Sequence, residues 1–144
     1  MKTDLYLEVD SRSMSMSEKR YGYVLEAIQG GRQAEKKSFG RMEGTYNCVT
    51  LEALTDALAH FNRPAEICIH MQCPYVCVNL KNLQKWADNG FVGRQKTTLK
   101  HRERWEKIWD LTQGHKITVI QGEHKYSETL RKEMWQQKTI DLHI

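Results

Sequence analysis

Apolar positions recur along the chain with two different periods, and the change from one to the other divides it. Over residues 5–10, Leu5, Leu7 and Val9 alternate with Tyr6, Glu8 and Asp10, the two-residue period of a strand. RYGYVLEAI, residues 20–28, reads as a second strand, the two glycines of QGGRQ as a hairpin turn, and KKSFGRMEG, residues 36–44, as a third strand. SRSMSMSEK, between the first two, is a polar turn. Three successive strands with short turns predict an antiparallel meander. The period then becomes helical: Leu51, Leu54, Leu58 and Phe61 mark an amphipathic helix over residues 47–61. NRP ends it, because the residue before a proline is pushed out of helical geometry.

The strand period returns in EICIHM, residues 66–71. Pro74 suits the first turn of a helix, where its missing N–H costs nothing. That helix is predicted to run to about residue 88 and to be closed by Asn89-Gly90. FVGRQKTTLK is polar, basic and loop-like. HRERWEKIWDLTQGH predicts a helix with Trp105, Ile108, Trp109 and Leu111 inward and Gly114 as its stop. KITVIQG is a fifth strand and SETLRKEMWQQ a last helix with Ser127 as N-cap. KTIDLHI is a tail, either a small extra strand or disordered. A meander followed by strands that need helical crossovers gives an α/β fold: a mixed five-stranded sheet, antiparallel and then parallel, with helices on its faces.

The 144 residues fit one domain, spanning 1–144. Hydrophobic residues are 40% and charged residues 28%, the balance of a globular protein with a real core. No apolar run approaches the roughly 18 residues of a membrane span, and the charged N-terminus MKTDLYLEVD does not read as a signal peptide. A cytoplasmic location, without disulfides, is the expectation. Cys73 and Cys77 would share a helix face near His70 and Cys68, but the spacing matches no common zinc pattern, and buried thiols are expected. The net charge of +4 is concentrated: residues 81–107 carry Lys81, Lys85, Arg94, Lys96, Lys100, Arg102, Arg104 and Lys107 against Asp88, Glu103 and Glu106. A clustered basic excess points to a polyanion such as nucleic acid, or to a solvated helix face.

Four stretches carry a family resemblance. VDSRSMSMSEKRYGYVLE, GTYNCVTLEALTDAL, QKWADNGFVGRQKTTLKHRERWEKI and VIQGEHKYSETLRKEM resemble, in order, the first strand with its aspartate and turn, the threonine–asparagine entry to the first helix, the tryptophan helix with its basic handle, and the last strand, histidine loop and final helix of type-1 ribonuclease H. The resemblance covers nearly the whole chain and implies the RNase H-like fold. It also implies hydrolysis of RNA in RNA–DNA hybrids, with four carboxylates holding two magnesium- or manganese-type ions.

On this alignment the first carboxylate is Asp10 and is retained. Thr50, Gln72 and Lys132 stand at the positions of the other three. Sliding Glu52 into the place of Thr50 would displace Leu54 and Leu58 from the inner helix face, at about 2–5 kcal/mol each. No acid lies between Glu66 and Asp88 to replace Gln72. At the last helix Glu128 or Glu133 remains open, and a reduced metal site would pair Asp10 with one of them. Lys132 would repel a metal and attract a phosphate; it also reads as an ordinary exposed lysine.

The resemblance further implies a nucleic-acid surface. Thr45 and Asn47 match positions that hold a phosphate and read a 2′-hydroxyl. Lys85, Trp86, Phe91, Arg94, Lys96, Lys100 and Arg102 belong to the handle, although Trp86 reads equally as core and Asn47 as a helix cap. His124 matches the loop histidine that assists product release. The expectation is a catalytically inactive protein without cofactor that binds RNA–DNA hybrid, duplex RNA or a nucleoprotein. An active metal-dependent ribonuclease H, or a protein–protein module that blocks a host nuclease, are the other readings. Small degenerate relatives of this appearance are reminiscent of proteins carried on bacterial mobile elements.

Overall fold

The computed structural model describes residues 1–93 and 99–142, with side chains as far as residue 137. The elements are β1 (Lys2–Val9), β2 (Ser17–Gln29), β3 (Arg32–Gly44), α1 (Tyr46–Leu58), β4 (Glu66–Met71), α2 (Pro74–Leu80), α3 (Leu83–Asp88), α4 (Arg102–Thr112), β5 (Lys116–Gln121) and α5 (Ser127–Leu142). The sheet order is β3-β2-β1-β4-β5. β1, β2 and β3 pair antiparallel, and β4 pairs in parallel with both β1 and β5. This is the mixed five-stranded sheet that the strand order predicts. No helix among the described residues is long and apolar enough to cross a membrane.

β1 lies at the centre and is buried on both faces. Leu5, Leu7 and Val9 meet the main core, which α1 supplies with Leu51, Leu54 and Leu58 and α4 with Trp105 and Ile108. On the other face Tyr6 joins Val24, Leu130 and Met134 in a second, smaller core beneath α5. From Leu5 to Val9 the alternation along β1 therefore separates two buried faces, and the polar-looking side there is not a solvent face.

Five elements differ from the sequence reading. β2 and β3 are longer, 13 residues each, because ladder pairing continues where β3 is polar and no layer covers it. α1 ends at Leu58, and Phe61 packs on the core from the turn that follows. The helix predicted from Pro74 is broken in two: Asn79 donates to the Tyr75 carbonyl and Asn82 to the Asn79 side chain, amide contacts that compete with the helical ladder. The tail continues α5 to Leu142 instead of forming a strand. The interior of the basic loop, residues 94–98, lies outside the described residues, and so do residues 143–144.

Two glycines in the meander make room for rings. Gly22 pairs with Phe39 and Gly40 with Tyr21, and each aromatic ring lies across the glycine opposite it. A Cβ on Gly40 would fall 2.3 Å from the Tyr21 ring. Gly40→Ala is expected to lose about 1–3 kcal/mol through the forced ring shift, measured by urea unfolding; an unchanged midpoint would mean that Tyr21 swings clear at no cost.

Candidate functional site

Strand period and helix period together converge a set of polar groups where β1 ends beneath α5. Glu8 follows Tyr6 on the α5 face of β1 and is 5% exposed. Its Oε1 accepts from the Gln72 amide at 2.6 Å, just beyond β4, and from the Ser127 hydroxyl at 2.6 Å, at the start of α5. Oε2 lies 3.7 Å from Arg131, whose other nitrogen donates to Glu123 at 3.1 Å. The Gln72 carbonyl accepts from Arg12 in the turn after β1. A buried carboxylate is costly unless donors surround it, and here an amide, a hydroxyl and a guanidinium do so.

His124 completes this cluster. Its Nδ1 accepts from the Tyr126 N–H at 3.2 Å, so Nε2 carries the proton and donates to the Leu7 carbonyl at 3.1 Å, with Glu8 Oε1 at 3.4 Å. Burial holds its pKa below the ordinary 6.5, against the opposing pull of the Leu7 carbonyl and the Glu8 charge. The ring is 3% exposed and in contact with Tyr6.

The other aligned positions are distributed as follows. Asp10 lies just past β1, where its Oδ1 accepts from the Arg20 N–H at 3.0 Å. Thr50 is buried and donates to the Tyr46 carbonyl at 2.8 Å. Beside it the Tyr46 hydroxyl is pushed up to about 12, first by burial and then by Cys73 and Glu8, with Arg12 opposing.

Lys132 does not reach this cluster. It is 72% exposed and bridges to Glu128 on α5 at 3.3 Å. The reason is the helix wheel. Leu130 and Met134 define the buried stripe; at about 100° per residue, Arg131 and Glu133 flank it on opposite sides and Lys132 points away. Arg131 reaches Glu8, and Glu133 reaches Lys37 of β3 at 2.9 Å. The cation beside the site is therefore Arg131, one residue from the aligned position. Ser127 is the first residue of α5 instead of its cap, and its hydroxyl accepts from the His124 N–H while donating to Glu8.

Glu8, Arg12, Ser127 and Arg131 were not among the site residues expected from sequence. The Leu130–Met134 stripe turns Lys132 away and leaves Arg131 and Glu133 on its two flanks, without choosing between them. Nothing in the local sequence distinguished Glu8, since a glutamate alternating with leucine and valine reads as solvent-facing.

The residues expected to contact nucleic acid divide into two groups. Thr45 caps α1, accepting from the Cys48 N–H at 3.2 Å, and Asn47 takes no capping role; its side-chain oxygen faces the Cys73 thiol at 3.4 Å. Phe91 is 8% exposed with a φ of 61°, so it belongs to the core and not to the surface. Trp86 is half-buried, edge-on to Trp105 with ring centroids 5.3 Å apart. It also lines a groove with Lys85, Asn79, Asn82 and Asn89. Lys100 and Arg102 are exposed at the start of α4, where Arg102 pairs with Glu106 at 2.5 Å. Arg94 and Lys96 lie outside the described residues. Cys73 and Cys77 are buried in the main core, separate from the half-buried Cys68 and His70.

A central β1 between an antiparallel meander and two parallel strands, with α5 alone over the smaller core, defines the class: an RNase H-like fold. No family model matches the chain. A ribonuclease H of Clostridium botulinum is 32% identical over 103 residues, 69% of this chain and 66% of its own length. The crystal structure of LC9-RNase H1, a type 1 RNase H with the type 2 active-site motif, superposes with a TM-score of 0.70 at 12% identity, covering 94% of this chain and 69% of that one. The foamy viral protease-reverse transcriptase in complex with RNA/DNA hybrid superposes with a TM-score of 0.67 at 20% identity, over 94% of this chain and 19% of that one. The chain belongs to the RNase H-like family. The match spans just under two thirds of the length of the Clostridium relative.

The buried histidine has a consequence for stability. Because the folded pKa of His124 is depressed, the unfolded chain takes up the proton first as pH falls through about 6.5. The contribution of neutral His124 is complete above that pH and is lost on acidification toward the lower folded value. His124→Gln is expected to be less stable than wild type near neutrality, with the gap narrowing as pH falls, in paired urea titrations. Parallel stability curves would assign the acid sensitivity to other groups.

Proposed function

We propose that this protein binds RNA–DNA hybrid or duplex RNA through the handle and the α1 entry, and does not hydrolyse it. The observation that carries the reading is the environment of Glu8 and Gln72. Magnesium-type ions require several hard, unengaged oxygen ligands. Here the Gln72 oxygen is taken by Arg12, its nitrogen donates to Glu8, and Arg131 adds a cation beside the carboxylate. Thr50 offers a hydroxyl already donated to a backbone carbonyl. Asp10 is the one acid at an aligned position, and Glu128 and Glu133 are engaged by Lys132 and Lys37. These residues do not fit the metal pair of the family.

Support for binding comes from three sources. The foamy viral relative is in complex with RNA/DNA hybrid. Thr45 and Asn47 remain at the α1 entry. Exposed Lys85 lines an amide-lined groove that ends at Leu99, and exposed Lys100 and Arg102 follow Leu99 in the chain, chemistry suited to phosphates and sugar hydroxyls. A protein of this kind would occupy hybrids without consuming them and so shield them from an active ribonuclease H. That property suits a maintenance factor or a nuclease-blocking protein of a mobile element.

Two measurements test the reading. Purified protein with magnesium or manganese is expected to leave a labelled hybrid intact. Cleavage that disappears in Asp10→Asn would overturn the proposal in favour of an enzyme with a reduced metal site.

Binding of the same hybrid is expected to weaken when Lys85, Lys100 and Arg102 are changed together to alanine. The slope of log affinity against log salt should flatten by roughly 1 for each phosphate contact removed. A triple variant with wild-type affinity and slope would move the interface away from the handle.

A further inference from the structure

A second cluster of chemically capable side chains lies at the opposite end of β1 from Glu8. Asp4 of β1 and Cys68 of β4 are direct partners in the parallel register, and His70 follows Cys68 by two residues. Strand alternation puts all three side chains on one face of the sheet. His70 Nε2 is 2.9 Å from Asp4 Oδ1, and one ligand atom from each of the three residues lies within 4.8 Å of the others. All three are half-buried, beside a groove that also receives Lys2, Glu66 and Lys116.

We propose that Asp4, Cys68 and His70 form a binding site for a zinc-like divalent ion, with one coordination position left to solvent. A tetrahedral site with bonds of about 2.0–2.3 Å has ligand–ligand edges of roughly 3.3–3.8 Å. The observed spread comes within a small side-chain rotation of that geometry. A thiolate, an imidazole and a carboxylate select zinc, or cobalt as its stand-in, over magnesium. The charges also balance: a thiolate and a carboxylate neutralise the ion, so Lys2 and Lys116 would face a neutral centre. His70 is held by stacking on Tyr6, with centroids 4.4 Å apart and planes 16° from parallel. Fixed ring orientation is what a metal-binding imidazole needs.

The site is separate from the carboxylate positions of the family. Asp4 precedes Glu8 by four strand residues, about 13 Å along β1. Its sequence signature is Cys-x-His on one strand with an aspartate on the neighbour, a pattern invisible until the register is known. Binding would release the Cys68 thiol proton and replace the contact between His70 and Asp4 with a shared ion.

Cobalt(II) titration of the reduced protein tests the assignment. A thiolate-to-cobalt charge-transfer band should appear, saturate at one ion per chain, and be displaced by zinc. Cys68→Ser should abolish the band and Cys48→Ala should leave it intact. Asp4→Asn, which is nearly isosteric and serves as the variant least disruptive to folding, should weaken cobalt binding by about tenfold or more. Absence of the band in wild type, its survival in Cys68→Ser, or unchanged affinity in Asp4→Asn would each overturn the site.

Discussion

A carboxylate buried at the end of the central strand dictates what can stand around it. Glu8 is on β1, which has neighbours on both edges and helices over both faces, so no reorientation can return its charge to water. An uncompensated charge there would cost several kcal/mol. Four residues from three segments supply the compensation: Gln72 beyond β4, His124 in the loop after β5, and Ser127 and Arg131 on α5. One side chain thus ties the last helix to the two central strands. The small apolar core under α5, built on Tyr6, Val24, Leu130 and Met134, gives that helix limited purchase by itself.

A second buried charge plays the same part at the same end of the meander, one strand over. Lys19 is fully buried, and its ammonium donates to the Ser15 and Gly44 carbonyls and to the Ser17 hydroxyl at 2.6–2.8 Å. It fastens the polar turn before β2 to the end of β3, immediately ahead of the α1 entry. Thr45 and Asn47 are therefore presented from a fixed backbone, although the turn beside them is exposed and rich in serine. Backbone carbonyls suit an ammonium here because they satisfy its donors without adding a further buried charge.

How much of this was legible in the sequence follows from what each signal encodes. The change of hydrophobic period marked the strands and helices, and the order of elements gave the mixed sheet. Alternation could not say which faces of β1 would be covered, so Glu8 passed for a surface residue. Helical periodicity could not see the side-chain amides that divide α2 from α3. Alignment by motif pointed to Asp10, Thr50 and Gln72, which lie just past β1, in α1 and just past β4, while on α5 it is Arg131 that reaches Glu8 and Lys132 that points away. A loop of uncertain length precedes that helix, and only the Leu130–Met134 stripe fixes its rotation. Phe91 was assigned to the surface by resemblance, whereas burial and a left-handed backbone make it part of the core.

The substitutions around Glu8 are coupled, and that coupling bears on how such a site changes. An aspartate in place of Gln72 alone would set a second carboxylate against Glu8 at hydrogen-bond distance, and two like charges so close cannot both ionise without a cation between them. Removing Arg131 alone would strip the guanidinium from an already buried charge. Changing Glu8 alone would leave the buried Ser127 hydroxyl and the half-buried Gln72 amide without their common acceptor, and an unsatisfied buried donor costs about 1–3 kcal/mol. Each residue is tolerable because the others are present. The arrangement is self-consistent: donors from the end of β4 and from α5 converge on one carboxylate of β1 that could not stand buried without them.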